Sequence, residues 1–293
     1  MSHSDQTLAA KAYRVRPTRL VLALIATGTL ILAGCATVDI NQSIARANQD
    51  TASLTGGKLA LAQTDRERGE LQSAAAAMLS KPLSADDAVR LALINSPAMQ
   101  AMLAQSWADA ASAAQIGRLP NPILTLERLR LPLETDIGRM LAFGLLDVLT
   151  LPQRYRVANA RGEQVRLQLT TDVVDKVTQV RQAWVAALAA KQSLTYAQQV
   201  SDSAEASAEL ARRMLAVGNF NKLQRARQQA FYADAAAQLA NASHAATASR
   251  EALIRVLGLT DAQAQQMQLP DRLPDIPASA RTGEEVSSAA SRR

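Results

Sequence analysis

Aromatic side chains are scarce in this chain: two Trp, four Tyr and three Phe among 293 residues. So few bulky anchors disfavour a globular core, although 48% of the residues are apolar. The apolar share is mostly Ala with some Leu and Val, which suits thin helices packed at short axial distance. Cysteine is scarcer still. Cys35 stands alone, so neither a disulfide nor a Cys-x-x-Cys metal site is available. Only His244 among the histidines follows Cys35, and a lone histidine makes no ordinary zinc site; it reads as structural. There is no nucleophile elbow, no Gly-rich phosphate loop and no second histidine for a relay, so neither an enzyme nor a bound cofactor or metal is expected. Asp172 with Asp175, and Glu205 with Glu209, lie within one helical turn but read as solvated faces. No Lys/Arg cluster interleaved with aromatics occurs, which leaves nucleic-acid binding unsupported.

What is present begins with a targeting pattern. Lys11, Arg14, Arg16 and Arg19 precede an apolar run over residues 20–32, whose 13 residues are too short for a free-standing bilayer span. The run ends in Leu32-Ala33-Gly34-Cys35, the pattern of a bacterial lipoprotein cleavage site. Residues 1–34 are therefore expected to be a lipoprotein signal peptide and Cys35 the lipidated residue; the alternative is an ordinary signal peptide with an accidental Cys. Ala36 follows, not an inner-membrane-retaining Asp, which implies the outer membrane of a Gram-negative bacterium. The precursor carries a net charge of +6, but the part after the signal holds 28 bases and 25 acids. Much of the basicity is thus a targeting signal.

Residues 35–82 read as a polar spacer, with a short helix over 66–79. A capping-box-like start at Ser84 and Asp87 predicts a helix over 84–117, broken at Asn95-Ser96-Pro97 where Ser96 can cap. Gly117 closes it and Pro120 follows. Two apolar runs then predict a β-hairpin with strands at about 122–130 and 141–151, and with Pro132, Asp136 and Gly138 as turn formers between them. Because Leu145-Leu146 and Leu149-Thr150-Leu151 break strict alternation, a buried helix over 140–151 is the alternative. Residues 155–217 hold no Pro and a single Gly, Gly162, and predict one helix of ~94 Å. In it Val173, Val177, Val180, Trp184 and Leu188 recur at helical spacing. Gly218 ends it, Asn219 can cap, and a returning helix is expected over 219–257. There Leu223, Ala226, Ala230, Ala233, Ala237 and Ala240 follow a strict 4/3 spacing that predicts a close antiparallel seam. The fold class expected is mainly α: a long, coiled-coil-like helical hairpin with a short β-hairpin. Residues 260–293 form a Pro-containing tail.

Several pieces, in order, resemble the TolC family of outer-membrane efflux proteins: Leu83-Ser84-Ala85-Asp86-Asp87-Ala88, Ala92-Leu93-Ile94-Asn95-Ser96-Pro97, Gly117-Arg118-Leu119-Pro120-Asn121-Pro122, Arg212-Arg213 with Gly218, and Leu253-Ile254-Arg255-Val256-Leu257-Gly258-Leu259. The resemblance spans residues 83–259. It implies a passive duct of a tripartite export system, with strands contributing to an outer-membrane barrel, helices in the periplasm, and a periplasmic adaptor and inner-membrane pump as partners. Family protomers carry two repeats and form trimers. This chain shows one repeat, and Gly283-Glu284-Glu285-Val286 looks like the opening of a second, so a twelve-stranded closure needs six chains. The alternatives are a non-transporting helical lipoprotein and a truncated, channel-defective relative.

The resemblance places the adaptor-docking tip at Arg213, Gly218, Asn219, Phe220, Asn221, Lys222 and Leu223, and the helix–strand junction at Gly117, Pro120, Asn121 and Pro122. The family often has Ser or Thr at the position of Asn221 and Asp at that of Gln224. Arg212, Arg213, Arg225 and Arg227 crowd near the tip; a solvated helix face is the other reading. Trp107 and Trp184 read as packing anchors.

Overall fold

Helices dominate because Ala, Leu, Gln and Arg supply most positions between the few Gly and Pro punctuation marks. The structure, a computed structural model, describes residues 40–56, 58–130, 135–275, 279 and 282–291. The signal peptide and Cys35 lie outside the described residues. In chain order the elements are α1 (Ile40–Thr55), α2 (Asp65–Leu79), α3 (Ala85–Asn95), α4 (Pro97–Ile116), β1 (Ile123–Arg130), β2 (Thr135–Ala142), α5 (Leu145–Ala216), α6 (Lys222–Leu257), α7 (Asp261–Gln266) and α8 (Gly283–Ser291). The 72 residues of α5 make a rod of ~108 Å, and the other packed elements are arranged along it.

The core surrounds the middle of α5. Val173, Val177, Val180, Trp184 and Leu188 are all buried, at the spacing that one helix face requires. They meet Leu83, Val89, Leu91 and Leu93 around α3, Met99 and Leu103 of α4, and Leu253 and Leu257 of α6 in one cluster. Trp184 Nε1 donates to the Leu83 carbonyl across 2.8 Å, so the one polar atom of the largest core side chain is satisfied. Trp107, by contrast, is 39% exposed.

The region read as a spacer is packed structure. In α1, Ile44, Ala47, Thr51 and Thr55 are buried at helical spacing, and both threonine hydroxyls donate one turn back, to Ala47 and Thr51 carbonyls. Its other polar groups also tie it to α5: Asp50 accepts from Arg166 at 2.6 Å and Arg181 donates to the Leu54 carbonyl at 3.0 Å. The tail also belongs to the core. Met267 is buried, the Leu83 amide donates to the Gln268 carbonyl, and Lys191 Nζ holds the carbonyls of Leu269 and Pro270.

Three further expectations need correction. Ser96 does not cap with its side chain; its buried hydroxyl has no partner, and Gly258 packs closely against its Cα. A Cβ on Gly258 would stand 2.8 Å from Ser96 Cα and 2.5 Å from Pro97 Cδ. The second strand is not 141–151: β2 ends at Ala142 and α5 begins at Leu145, with Gly144 as its N-cap. Ala142 pairs with Ile123, and Pro122 behind Ile123 has no amide with which to extend the ladder. Past Gly144, Asp147, Thr150, Leu151, Arg154 and Ala158 are the sheltered positions, a helical spacing. This segment is nonetheless no buried helix, since Leu145, Leu146 and Leu149 are each about two-thirds exposed. Asp136 and Gly138 lie within β2, and the turn falls in residues 131–134, outside the described residues.

The third correction concerns α6. Its expected seam is solvent-facing: Leu223, Ala226, Ala230, Ala233, Ala237 and Ala240 are all exposed. The sheltered face runs through Gln228, Tyr232, Ala235, Leu239, Ala242, Ala246 and Leu253, offset by two positions. Opposite it on α5 lie Ser201, Ala204 and Ala211, all buried. An antiparallel hairpin with small residues at its seam does form, through a different face.

Candidate functional site

The two ends of α5 hold the residues singled out in the sequence. At its N-terminal end, β1 and β2 form a two-stranded antiparallel ribbon in which Leu124 pairs with Leu141, Leu126 with Arg139 and Arg128 with Ile137. Directly opposed residues share a face, so these pairs make one face. Ile123 with Ala142, Thr125 with Met140, and Glu127 with Gly138 make the other. Every described side chain of the ribbon is exposed on both faces. The rungs nearest the helices are apolar, and the charged residues Glu127, Arg128, Asp136 and Arg139 sit further out. Phe143, Leu145, Leu146 and Leu149 extend the exposed apolar band into the first turns of α5.

The junction residues fix this ribbon to the rod. Gly117 sits where a Cβ would lie 3.1 Å from that of Ala158. Arg154 Nε donates to the Ile116 carbonyl at 3.0 Å while its Nη1 reaches Asp147 at 2.9 Å. One arginine thus caps the end of α4 and pairs with the acid in the first turn of α5. Pro120, Asn121 and Pro122 are exposed and carry the chain into β1.

At the other end, Gly218 adopts φ +79°, the left-handed conformation that glycine reaches without Cβ strain. Asn219 and Phe220 amides both return to the Met214 carbonyl, at 2.9 and 3.2 Å. Asn219 is therefore inside the turn and does not cap. Asn221 caps instead: its Oδ1 accepts from the Gln224 amide, and Gln224 Oε1 accepts from the Asn221 amide, both at 2.8 Å. Lys222 and the 60%-exposed Leu223 project beyond this reciprocal cap. Arg212 donates to both carboxylate oxygens of Glu209 at 2.7 Å and Arg213 to one at 2.8 Å. The two guanidiniums, Arg212 first, hold the Glu209 carboxyl down at about 2. Arg212 and Arg213 thus share one carboxylate within their own helix, whereas Arg225 and Arg227 are exposed on α6.

Sequence reasoning did not anticipate an open groove of about 730 Å³ whose walls include Leu61, Arg68, Gln100, Gly258 and Gln263. Asn95 at its floor is spent on structure, exchanging hydrogen bonds with Gln263 and donating to the Gly258 carbonyl. Among the described residues no group of three His, Cys, Asp or Glu is placed to hold a metal, and no helix is long and apolar enough to cross a membrane.

No family model and no curated protein matches the chain. Among solved structures, it is similar to a crystal structure of a membrane protein from Pseudomonas aeruginosa, at 22% identity and a TM-score of 0.52. The match covers 69% of this chain and 52% of that one, so the chain spans about half the length of the protein it resembles. The likeness is one of fold; this chain is mainly helical among its described residues, with a long helix and one small antiparallel hairpin.

Proposed function

We propose that the chain is a subunit of an outer-membrane efflux duct of the TolC kind, a passive component working with a periplasmic adaptor and an inner-membrane pump. One observation carries this reading. A two-stranded ribbon, exposed on both faces and with apolar rungs at its base, is held at one end of a 72-residue helix whose other end is a tight helical turn. An isolated ribbon of two strands is marginal in water, and in lipid its open edges need partners. Side-by-side ribbons from several chains supply both requirements at once, and six chains give twelve strands. The lipid on Cys35 anchors the assembly to the outer membrane, and the turn at Gly218 to Leu223 is the surface offered to the adaptor. Asn221 and Gln224, which differ from the residues usual in the family, still form a reciprocal cap, so the shape of the tip does not depend on that difference.

A second reading, a helical lipoprotein that does not transport, is favoured by the charges. Arg128 and Arg139 share a face with Leu124 and Leu126, and the strands are eight residues long, against the roughly 9–11 of a spanning strand. Labelling decides between the two. A Thr135→Cys variant is treated on intact cells with a membrane-impermeant maleimide. Surface labelling, with conductance steps when the purified protein is added to planar bilayers, is the outcome expected of a duct. Correct export without either result favours the second reading.

A further inference from the structure

The exposed apolar band at the base of the ribbon has charged margins on both sides. From Leu119 to Leu126 the chain carries no charge, between Arg118 and Glu127. The returning stretch runs from Arg139 to Arg156. Inside it the two charges, Asp147 and Arg154, pair with each other at 2.9 Å. The first stretch is roughly 30 Å of extended chain. The second, part strand and part helix, is roughly 35 Å. Both match a hydrocarbon core of ~30 Å. The uncharged rungs of the ribbon alone reach only about 10 Å.

We propose that the periplasmic boundary of the outer membrane crosses this chain at Tyr155 and Arg156, not at the ends of the strands. The first turns of α5 then lie in the hydrocarbon of the inner leaflet, and Arg156 pairs with the phosphate of an anionic phospholipid. The proposal deepens the duct reading and rests on it only for the side of the membrane from which α5 enters. A helix satisfies its own backbone polar groups, so α5 can complete a crossing that eight-residue strands leave short.

Charge identifies the occupant as lipid. At 100° per residue, Leu145, Leu149, Pro152 and Arg156 fall within about 60° of one another, and all four are exposed. Arg156 thus stands directly below an apolar column. The Cα–Cβ bonds of α5 lean toward its N-terminus, here the ribbon end, which carries an arginine head toward the band. Among the described residues Arg156 pairs with no acid, unlike its neighbours Arg154 and Arg166. Exposed Tyr155 beside it has the amphipathic ring favoured at a membrane–water interface. A Cβ on Gly117 would lie 3.5 Å from Tyr155 Cα, so exposed Arg118 stands at the same level. A second copy of the chain brings no free acid to this level, since Asp147 and Glu163 are already paired. A phospholipid brings acyl chains for the column and a phosphate for the cation together.

Depth-dependent quenching in the full-length protein tests this, in vesicles of equal phosphatidylethanolamine and phosphatidylglycerol. Leu146→Cys, Gln153→Cys and Gln164→Cys are exposed positions within about 20° of one line down α5, the lower two ~10 and ~27 Å below the first. Each carries a bimane label, and the parent chain with Cys35 alone is the background. Lipids brominated on their acyl chains are expected to quench Leu146→Cys strongly, Gln153→Cys weakly and Gln164→Cys not at all. Aqueous iodide is expected to give the reverse order. Equal iodide quenching at all three overturns the proposal. So does a Leu146→Cys label shielded from both quenchers, since protein then covers the face. Lipid retained by the purified protein is expected to be enriched in phosphatidylglycerol about five-fold. Arg156→Lys should keep that enrichment and Arg156→Gln should lose most of it, with helicity unchanged. Full enrichment in Arg156→Gln overturns the pairing. Immersion of Leu146 without bilayer conductance removes the duct reading and leaves the boundary. Conductance with Leu146 open to iodide does the reverse.

Discussion

The middle of α5 and its last third use the same heptad spacing to hold their neighbours, with very different side chains. Around Val173 to Leu188 the seam is branched and aromatic, and it meets α1, α3, α4 and α6. Beyond residue 190 the buried seam residues are Ser201, Ala204 and Ala211, along the stretch that packs on α6. Full burial of a Val, Leu or Met contributes roughly 1.5–3 kcal/mol, and an alanine methyl much less. The middle is therefore where the fold is secured. The last third is a pair of closely spaced rods whose outer sides are left for something else.

If this contrast is right, the largest loss comes from the middle. Trp184→Ala is expected to cost roughly 3–5 kcal/mol, seen as a lower urea midpoint by far-ultraviolet circular dichroism, because it opens a cavity and leaves the Leu83 carbonyl without its donor. Trp184→Phe keeps a six-membered ring and removes the pyrrole part of the indole together with its hydrogen bond, so a smaller loss of about 1–3 kcal/mol is expected. Equal losses for the two would mean that the bond matters more than the packing, and would weaken the comparison.

A pair of glycines sharpens it. Gly258 and Gly218 both have positive φ, +68° and +79°, but a Cβ at Gly258 strikes Pro97 and Ser96 while one at Gly218 meets nothing within 4 Å. Alanine at either position carries the left-handed penalty of about 1–2 kcal/mol. Only Gly258→Ala adds overpacking of roughly 1–3 kcal/mol. Thermal unfolding of the two variants should differ by that increment, with Gly258→Ala the less stable.

These contrasts also explain what could be read from the sequence. The central seam was legible because Val173, Val177, Val180, Trp184 and Leu188 are large residues set among small ones, so their period marks a face. The α6 seam was misread because alanine occurs on every side of that helix. Its 4/3 pattern at Ala226 to Ala240 is real, but alanine is equally at home exposed or buried, and the face that packs holds Gln228, Tyr232 and Ser249, which hydropathy alone would not choose. The ribbon was announced by Pro120 and Pro122 and the apolar run after them. The end of its second strand was not, because Leu145 to Leu151 suits a strand or a helix, and only the pairing of Ala142 with Ile123 shows where the ladder stops. The packing of α1 was hidden because its buried hydroxyls satisfy themselves one turn back, a bond that composition does not display.

A smaller effect separates the two faces of α6. Ala235→Leu places a larger side chain in the seam against α5 and is expected to cost roughly 1–3 kcal/mol. Ala237→Leu, two positions away and exposed, is expected to change the stability of the isolated chain by less than about 0.5 kcal/mol. Comparing the two in detergent at low protein concentration, where copies are apart, keeps any contact between chains out of the measurement. Similar losses at both sites would show that the exposed face is already covered within one chain.

The smallest effect lies at the tip, where Glu209 is partly exposed and its partners are neighbours on the same helix. Its carboxyl is held at about 2, against an ordinary value of 4.5, first by Arg212 and then by Arg213. A depressed carboxyl contributes stability that is complete above its ordinary value and lost as pH falls from about 4.5 through about 2. Solvent screens a pair this exposed, so the pH dependence of unfolding is a poor reporter of it, and the titration itself is the measurement to make. Carbon-13 resonances of the Glu209 carboxyl should titrate near 2 in the folded protein, and Arg212→Gln should raise the midpoint more than Arg213→Gln, since Arg212 donates to both oxygens and Arg213 to one. An unchanged midpoint in Arg212→Gln would mean that Arg213 alone holds the acid, leaving Arg212 free beside the exposed Arg225 and Arg227 as a third cation at the tip.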